Sequence, residues 1–160
     1  MRTAIVYATK HGTTRKVANK IKALVWPGDV ILFNLAETRD VELRSFDRII
    51  IGSSIYAGSV SGRVKSFVKQ NMVDLLQKEV GLFTCGMFFE KANEQIEKSF
   101  PAVLRQHARS IKHLGGEYQF DDLNFVERFL VKKIGGATQS ESHIDEKAIV
   151  AFVEDFGVMV

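Results

Sequence analysis

Cysteine is almost absent: Cys85 is the only one among 160 residues. A single thiol excludes an internal disulfide and any zinc site built from several cysteines. No run approaches the ~18 uninterrupted apolar residues of a membrane span. Met1-Arg2 leads at once into the β-rich Ala4-Ile5-Val6-Tyr7 rather than into a leader, so cytoplasm is the expected compartment. The triphosphate loop GxxxxGK and the dinucleotide loop GxGxxG are both missing. Large charge excess is missing too. Against 22 Lys+Arg stand 19 Asp+Glu, a net +3 with a pI near 9.0. That mild basic bias suits anionic partners without identifying one, and no nucleic-acid partner is expected. What is present is ordinary for a soluble domain: 46% hydrophobic and 26% charged residues. A single domain over 1–160, able to bury its own core, is the expectation.

Five short apolar runs recur: Thr3–Ala8, Val30–Leu35, Arg48–Ser53, Val80–Thr84 and Glu117–Phe120. Ile49-Ile50-Ile51 is a continuous β-branched block, the pattern of a strand buried on both faces. Helix-period stretches lie between the runs. Val17, Ala18, Ile21, Leu24 and Val25 mark one face; Val60, Val64, Phe67, Val68, Met72, Leu75 and Leu76 mark another. Pro101 is read as opening a helix through Val103, Leu104, Ala108 and Ile111 that stops at Gly115-Gly116. A last helix is expected from near Ile144 through Phe156. Alternating strands and helices imply right-handed crossovers, hence an α/β doubly wound parallel sheet with helices on both faces. The connection Asp121–His143 is long for its place and is expected to carry function or structure of its own. Phe125, Val126, Phe129, Leu130 and Ile134 stand at helical spacing within it.

Open parallel sheets bind ligands beyond the C-terminal strand ends. After the first strand comes Thr9-Lys10-His11-Gly12-Thr13-Thr14, running straight into a helix. Hydroxyls, a glycine and the free N–H groups of a helix start suit a phosphate; plain N-capping by threonine is the simpler alternative. After the third strand comes Ser53-Ser54-Ile55-Tyr56-Ala57-Gly58, small residues around one aromatic that can stack on a flat ring. Ordinary turn chemistry produces Gly and Ser there as well. After the fourth comes Thr84-Cys85-Gly86-Met87, again small residues and then large apolar ones.

Together these loops resemble the flavodoxin superfamily, whose phosphate loop reads Thr/Ser-x-Thr-Gly-x-Thr. Thr9, Gly12 and Thr14 match it, and His11 stands in place of the central threonine. The segments Arg48–Ile55, Phe67-Val68-Lys69 and Ile134-Gly135-Gly136-Ala137-Thr138 are similar to the menaquinone-dependent protoporphyrinogen oxidases within that superfamily. The resemblance implies a five-stranded sheet of order 2-1-3-4-5 with FMN held by the three loops. It also implies an insertion between the fifth strand and the last helix, and a step of haem biosynthesis with porphyrinogen and quinone as partners. The insertion here is shorter and opens with Asp121 and Asp122, where the family is aromatic and basic.

Individual residues divide between chemistry and packing. Cys85 falls where the family places the flavin edge, or is a small soft hydrophobe. Phe88 and Phe89 flank the ring or fill the core. His107, His113 and His143 lack metal-ligand spacing and are expected at the surface, and no metal is expected. Glu90, Glu94 and Glu97 read as a solvated helix face. Phe125 and Phe129, with Arg128 between them, are candidates for a substrate wall, for peripheral contact at the inner face of a membrane, or for ordinary packing. Residues 121–133 carry three acids and three bases, which weakens the membrane reading. The expected activity is an FMN-dependent, quinone-linked oxidoreductase, with no side-chain acid or base required. The alternative is an FMN electron carrier serving a redox partner protein, and the basic charge weighs against it, since the resemblance implies acidic carriers. A third is an interaction module without FMN, which the intact Thr9, Gly12 and Thr14 oppose.

Overall fold

Ala4, Val6, Ile49, Ile51, Val80 and Leu82 belong to one core, and Ile5, Tyr7, Ile50 and Phe83 to a second. Successive side chains of a strand point to opposite faces, so runs that are apolar at every position need cover on both sides. The computed structural model, which describes residues 1–25, 28–118 and 141–157, provides that cover. Its strands are β1 (Arg2–Ala8), β2 (Asp29–Asn34), β3 (Arg48–Tyr56), β4 (Ser59–Val60), β5 (Glu79–Cys85), β6 (Ser110–His113), β7 (Gly115–Tyr118) and β8 (Glu141–Ile144). A parallel path runs β2-β1-β3-β5-β6, which is the expected 2-1-3-4-5 order. The two-residue β4 turns back antiparallel on β3 as a sixth strand outside that path.

The helices are α1 (Thr13–Leu24), α2 (Gly62–Leu75), α3 (Ala92–Ser99), α4 (Ala102–His107) and α5 (Glu146–Asp155). Val17, Ala18 and Ile21 of α1 pack with Ile149, Phe152 and Val153 of α5 on the face of Ile5 and Phe83. Val64, Phe67, Val68 and Leu75 of α2 cover the other face, with Ile96 of α3 and Leu104 of α4. Each of the larger side chains contributes roughly 1.5–3 kcal/mol on burial.

The structure corrects five readings near the ends of elements. The fifth strand is Ser110–His113, not Glu117–Phe120. The helix after Pro101 ends at His107, and Ile111 packs on the core from a strand. Val103 is 48% exposed, so the apparent stripe from Val103 to Ile111 was never one face. Gly115-Gly116 is therefore not a helix stop but the start of β7, which pairs antiparallel with β8 in a separate two-stranded sheet. Val60 lies in β4, because α2 begins only after Ser61, whose hydroxyl accepts from Arg63 N at 3.2 Å. Ile144 lies in β8. The last helix starts at Glu146, capped by Asp145 Oδ1 accepting from Ala148 N at 3.0 Å.

Candidate functional site

Because β1, β3 and β5 are parallel neighbours, the segments leaving their C-terminal ends meet at one edge of the sheet. In the first, Gly12 takes φ +93°, a left-handed turn that glycine adopts without a steric penalty. Thr9 Oγ1 accepts from Gly12 N at 2.9 Å and so fixes that turn. Nothing lies within 4 Å of where a Gly12 Cβ would stand, which leaves the backbone approachable. Helix α1 then starts at Thr13 with no side-chain cap and no acidic residue in its first turn. Such an end presents N–H groups and positive potential to an anion. Thr14 is fully buried, and its hydroxyl makes no hydrogen bond of ordinary geometry with the protein. The thiol of Cys85 lies beside it, a weak partner for an oxygen.

The second segment is a hairpin rather than the loop expected from Ser53 onward, since β3 continues to Tyr56 and folds back through β4. Ser53 is buried. Its Oγ donates to Ser54 O and accepts from Ser61 N, both at 3.0 Å, and so braces the hairpin from inside. Ala57 and Gly58 both have positive φ, +52° and +83°, the sign pattern of a two-residue primed turn. An alanine there costs about 1 kcal/mol of backbone strain. Tyr56 is exposed, and Lys10 Nζ stands 3.6 Å from its ring centroid, joining the first segment to the second. His11 and Ser54 are half-buried.

In the third segment, Thr84 is buried and Gly86 sits against Ile55 of the hairpin. His113, at the C-terminal end of β6, bridges the two: Nδ1 is 3.0 Å from Thr84 Oγ1 and Nε2 is 2.8 Å from Gly86 O. A carbonyl only accepts, so Nε2–H donates to Gly86; in the neutral ring Nδ1 then accepts from the threonine hydroxyl. Gly86 N donates to Gly115 O at 2.9 Å. The Gly86 peptide is thus clamped from both sides. Met87 and Phe88 are half-buried, and exposed Phe89 lies edge-on to His113 and His143. Cys85 belongs to the α1–α5 core, where burial pushes its pKa up to about 12 and keeps it a neutral thiol.

His113 is therefore not the surface residue expected. Burial lowers its pKa below the ordinary 6.5, countered in part by the Gly86 hydrogen bond and by Asp145. Near that pH the unfolded chain binds more protons at this position than the folded one. The stabilisation is complete above about 6.5 and is lost as pH falls from there through the lower value of the folded state. Melting curves across this range should show the loss in the wild type and a shallower one in His113→Gln. A wild-type curve flat through the range would rule out a half-buried neutral imidazole.

Two more residues escaped the sequence reading. Glu117 of β7 sends a side chain only 3% exposed to α1, and Gly116 lies flat against the Gly86 backbone. The proposed wall residues Phe125, Arg128 and Phe129 fall outside the described residues. Among the described residues no cluster of His, Cys, Asp and Glu can hold a metal, and no helix is long and apolar enough to cross a membrane.

Residues 4–145 match the flavodoxin domain family. The chain belongs to that family. It is 22% identical over 158 residues to the protoporphyrinogen IX dehydrogenase [quinone] of Escherichia coli K12, covering 90% of this chain and 86% of that one. An archaeal flavodoxin superposes with TM-score 0.53 at 17% identity, over 84% of this chain and 94% of its own. Oxidised flavodoxin 1 of Bacillus cereus gives 0.53 at 14% identity, over 85% and 95%. The flavodiiron core of Synechocystis gives 0.54 at 17% identity over 72% of this chain, which spans only 30% of that larger protein. At these identities the structural likenesses establish the fold. Flavodoxin membership makes FMN the group against which the three segments are to be fitted. The uncapped, acid-free start of α1, the open Gly12 and the orphaned Thr14 hydroxyl all fit a phosphate.

Proposed function

We propose that this chain is an FMN-dependent oxidoreductase of the protoporphyrinogen oxidase type, passing reducing equivalents from a porphyrinogen to a quinone. The observation that carries the cofactor is the start of α1, with no side-chain cap, no acid of its own in the first turn, and a buried Thr14 hydroxyl that lacks a strong partner. Similarity to the E. coli dehydrogenase over 90% of the chain supports the activity. Thr9, Lys10, His11, Gly12, Thr13 and Thr14 hold the phosphate. Ser53 to Gly58 and Thr84 to Met87 hold the ring through backbone groups, with Tyr56 as the stacking face. When bound, FMN accepts a hydride and releases electrons singly, so the protein's part is position and electrostatics. His113 contributes by fixing the Gly86 peptide at the ring's edge. Phe125, Arg128 and Phe129 form the proposed substrate wall, and the net charge of +3 favours propionate-bearing partners. A cytoplasmic site of action, with the membrane quinone pool as acceptor, follows from the same reading.

Reconstitution with FMN should give flavin bands near ~370 and ~450 nm. The loaded protein should then oxidise protoporphyrinogen faster than the uncatalysed background, with a menaquinone analogue consumed in step. A loaded protein that fails this assay but reduces a one-electron protein acceptor is a carrier instead. Absence of flavin binding ends both readings.

A further inference from the structure

Helix α1 has no acid in its own first turn, yet a carboxylate reaches that turn from elsewhere. Glu117 stands on β7, paired with Ser142 of β8. Its Oε1 lies 2.7 Å from Lys16 Nζ and 3.4 Å from Thr13 Oγ1. Its side chain is 3% exposed, against 54% for Lys16. A buried carboxylate persists only where it is paired, and the positive end of a helix adds to what Lys16 supplies. The same helix end and the same Thr13 are groups an incoming phosphate would use, and Lys16 stands on that first turn beside them. Two anions drawn to one small set of donors repel each other, and in a partly buried setting water screens them poorly.

We infer that Glu117 is an internal anion competing with the cofactor's phosphate at the start of α1, and that it sets the affinity for FMN relative to dephosphorylated riboflavin. This rests on the FMN reading above. The contact is also long-range, since Glu117 lies 101 residues from Lys16, so removing the carboxylate leaves the phosphate loop's own sequence untouched. Riboflavin offers the same ring and ribityl chain without the charge. It separates competition at the phosphate from any general effect on the fold.

The experiment titrates apoprotein with FMN and with riboflavin at fixed ionic strength, following flavin fluorescence, for the wild type, Glu117→Gln and Glu117→Met. Both variants should bind FMN about ten-fold more tightly than the wild type, with riboflavin affinity within about two-fold. In thermal melts of the apoproteins, inorganic phosphate should raise the melting temperature more for the variants than for the wild type. The melts also show directly that each variant is folded. FMN affinity that is unchanged or weaker in folded variants overturns the role of Glu117 while leaving FMN binding intact. An equal change for both flavins overturns it as well, by making the effect structural. Wild-type protein that binds neither flavin overturns the FMN reading and this inference together.

Discussion

Gly116→Ala is expected to lower the melting temperature by about 10–15 °C and to abolish tight flavin binding. A Cβ at this position would stand 2.6 Å from the Gly86 carbonyl carbon, 2.7 Å from its oxygen and 3.0 Å from its Cα. Every obstructing atom is backbone, so no rotamer change relieves the clash. One of the two chains must move. Gly86 cannot move alone, because its N–H is held by Gly115 O and its carbonyl by His113. Overpacking costs roughly 1–3 kcal/mol, and the two hydrogen bonds add about 1 kcal/mol each. The resulting loss of about 3–5 kcal/mol converts to the stated shift for a domain of this size. Gly62→Ala is the control. It has open space and opens α2, so its melting temperature should hold or rise. A Gly116→Ala protein that melts within about 2 °C of the wild type would mean that β7 does not press on the Gly86 peptide.

Thr14→Val is expected to move stability and cofactor affinity in opposite directions. Valine has nearly the same shape, so the buried site keeps its packing while losing a hydroxyl that has no strong partner. Relief of that unsatisfied oxygen is worth about 1 kcal/mol or more, which should raise the apoprotein's melting temperature by about 3 °C. If the hydroxyl serves the phosphate, its loss removes a hydrogen bond to a charged group, worth about 1.5–3 kcal/mol. FMN affinity should then fall about 10- to 100-fold, with riboflavin much less affected. Calorimetry and fluorescence titration on one preparation give both signs. Unchanged FMN affinity would leave Thr14 a packing residue.

Strands β1, β3 and β5 were readable because each is apolar and buried on both faces, whereas edge strand β2 was readable from its unbroken run Val30–Phe33 alone. The loop after β1 was readable for a local reason: Thr9, Gly12 and Thr14 act within six residues of one another. The fifth strand was not. Ser110–His113 is four residues at the sheet edge with only Ser110 buried, so it lacks both the length and the pattern of its neighbours. Misplacing it hid His113, since a histidine at the C-terminal end of a parallel strand lies beside the binding edge and one in a helix tail does not. Glu117 was hidden for another reason. Its partners are 101 and 104 residues away, and no local pattern marks a carboxylate that a distant lysine will bury. The hairpin after Ser53 shows the same limit on a smaller scale, because its Gly-Ser composition suits an open loop and a primed turn equally well.

The last described pair of β7 and β8 sets Tyr118 opposite Glu141. In an antiparallel ladder such residues lie about 5 Å apart, so the chain leaves β7 and re-enters β8 at one place. The parallel sheet does not register how long that excursion is. Closing a flexible connection between two such ends adds only about 0.6 kcal/mol for each doubling of length, so the frame sets little limit on the number of residues between them. This is the condition under which a segment can diverge quickly between relatives while the frame around it holds still.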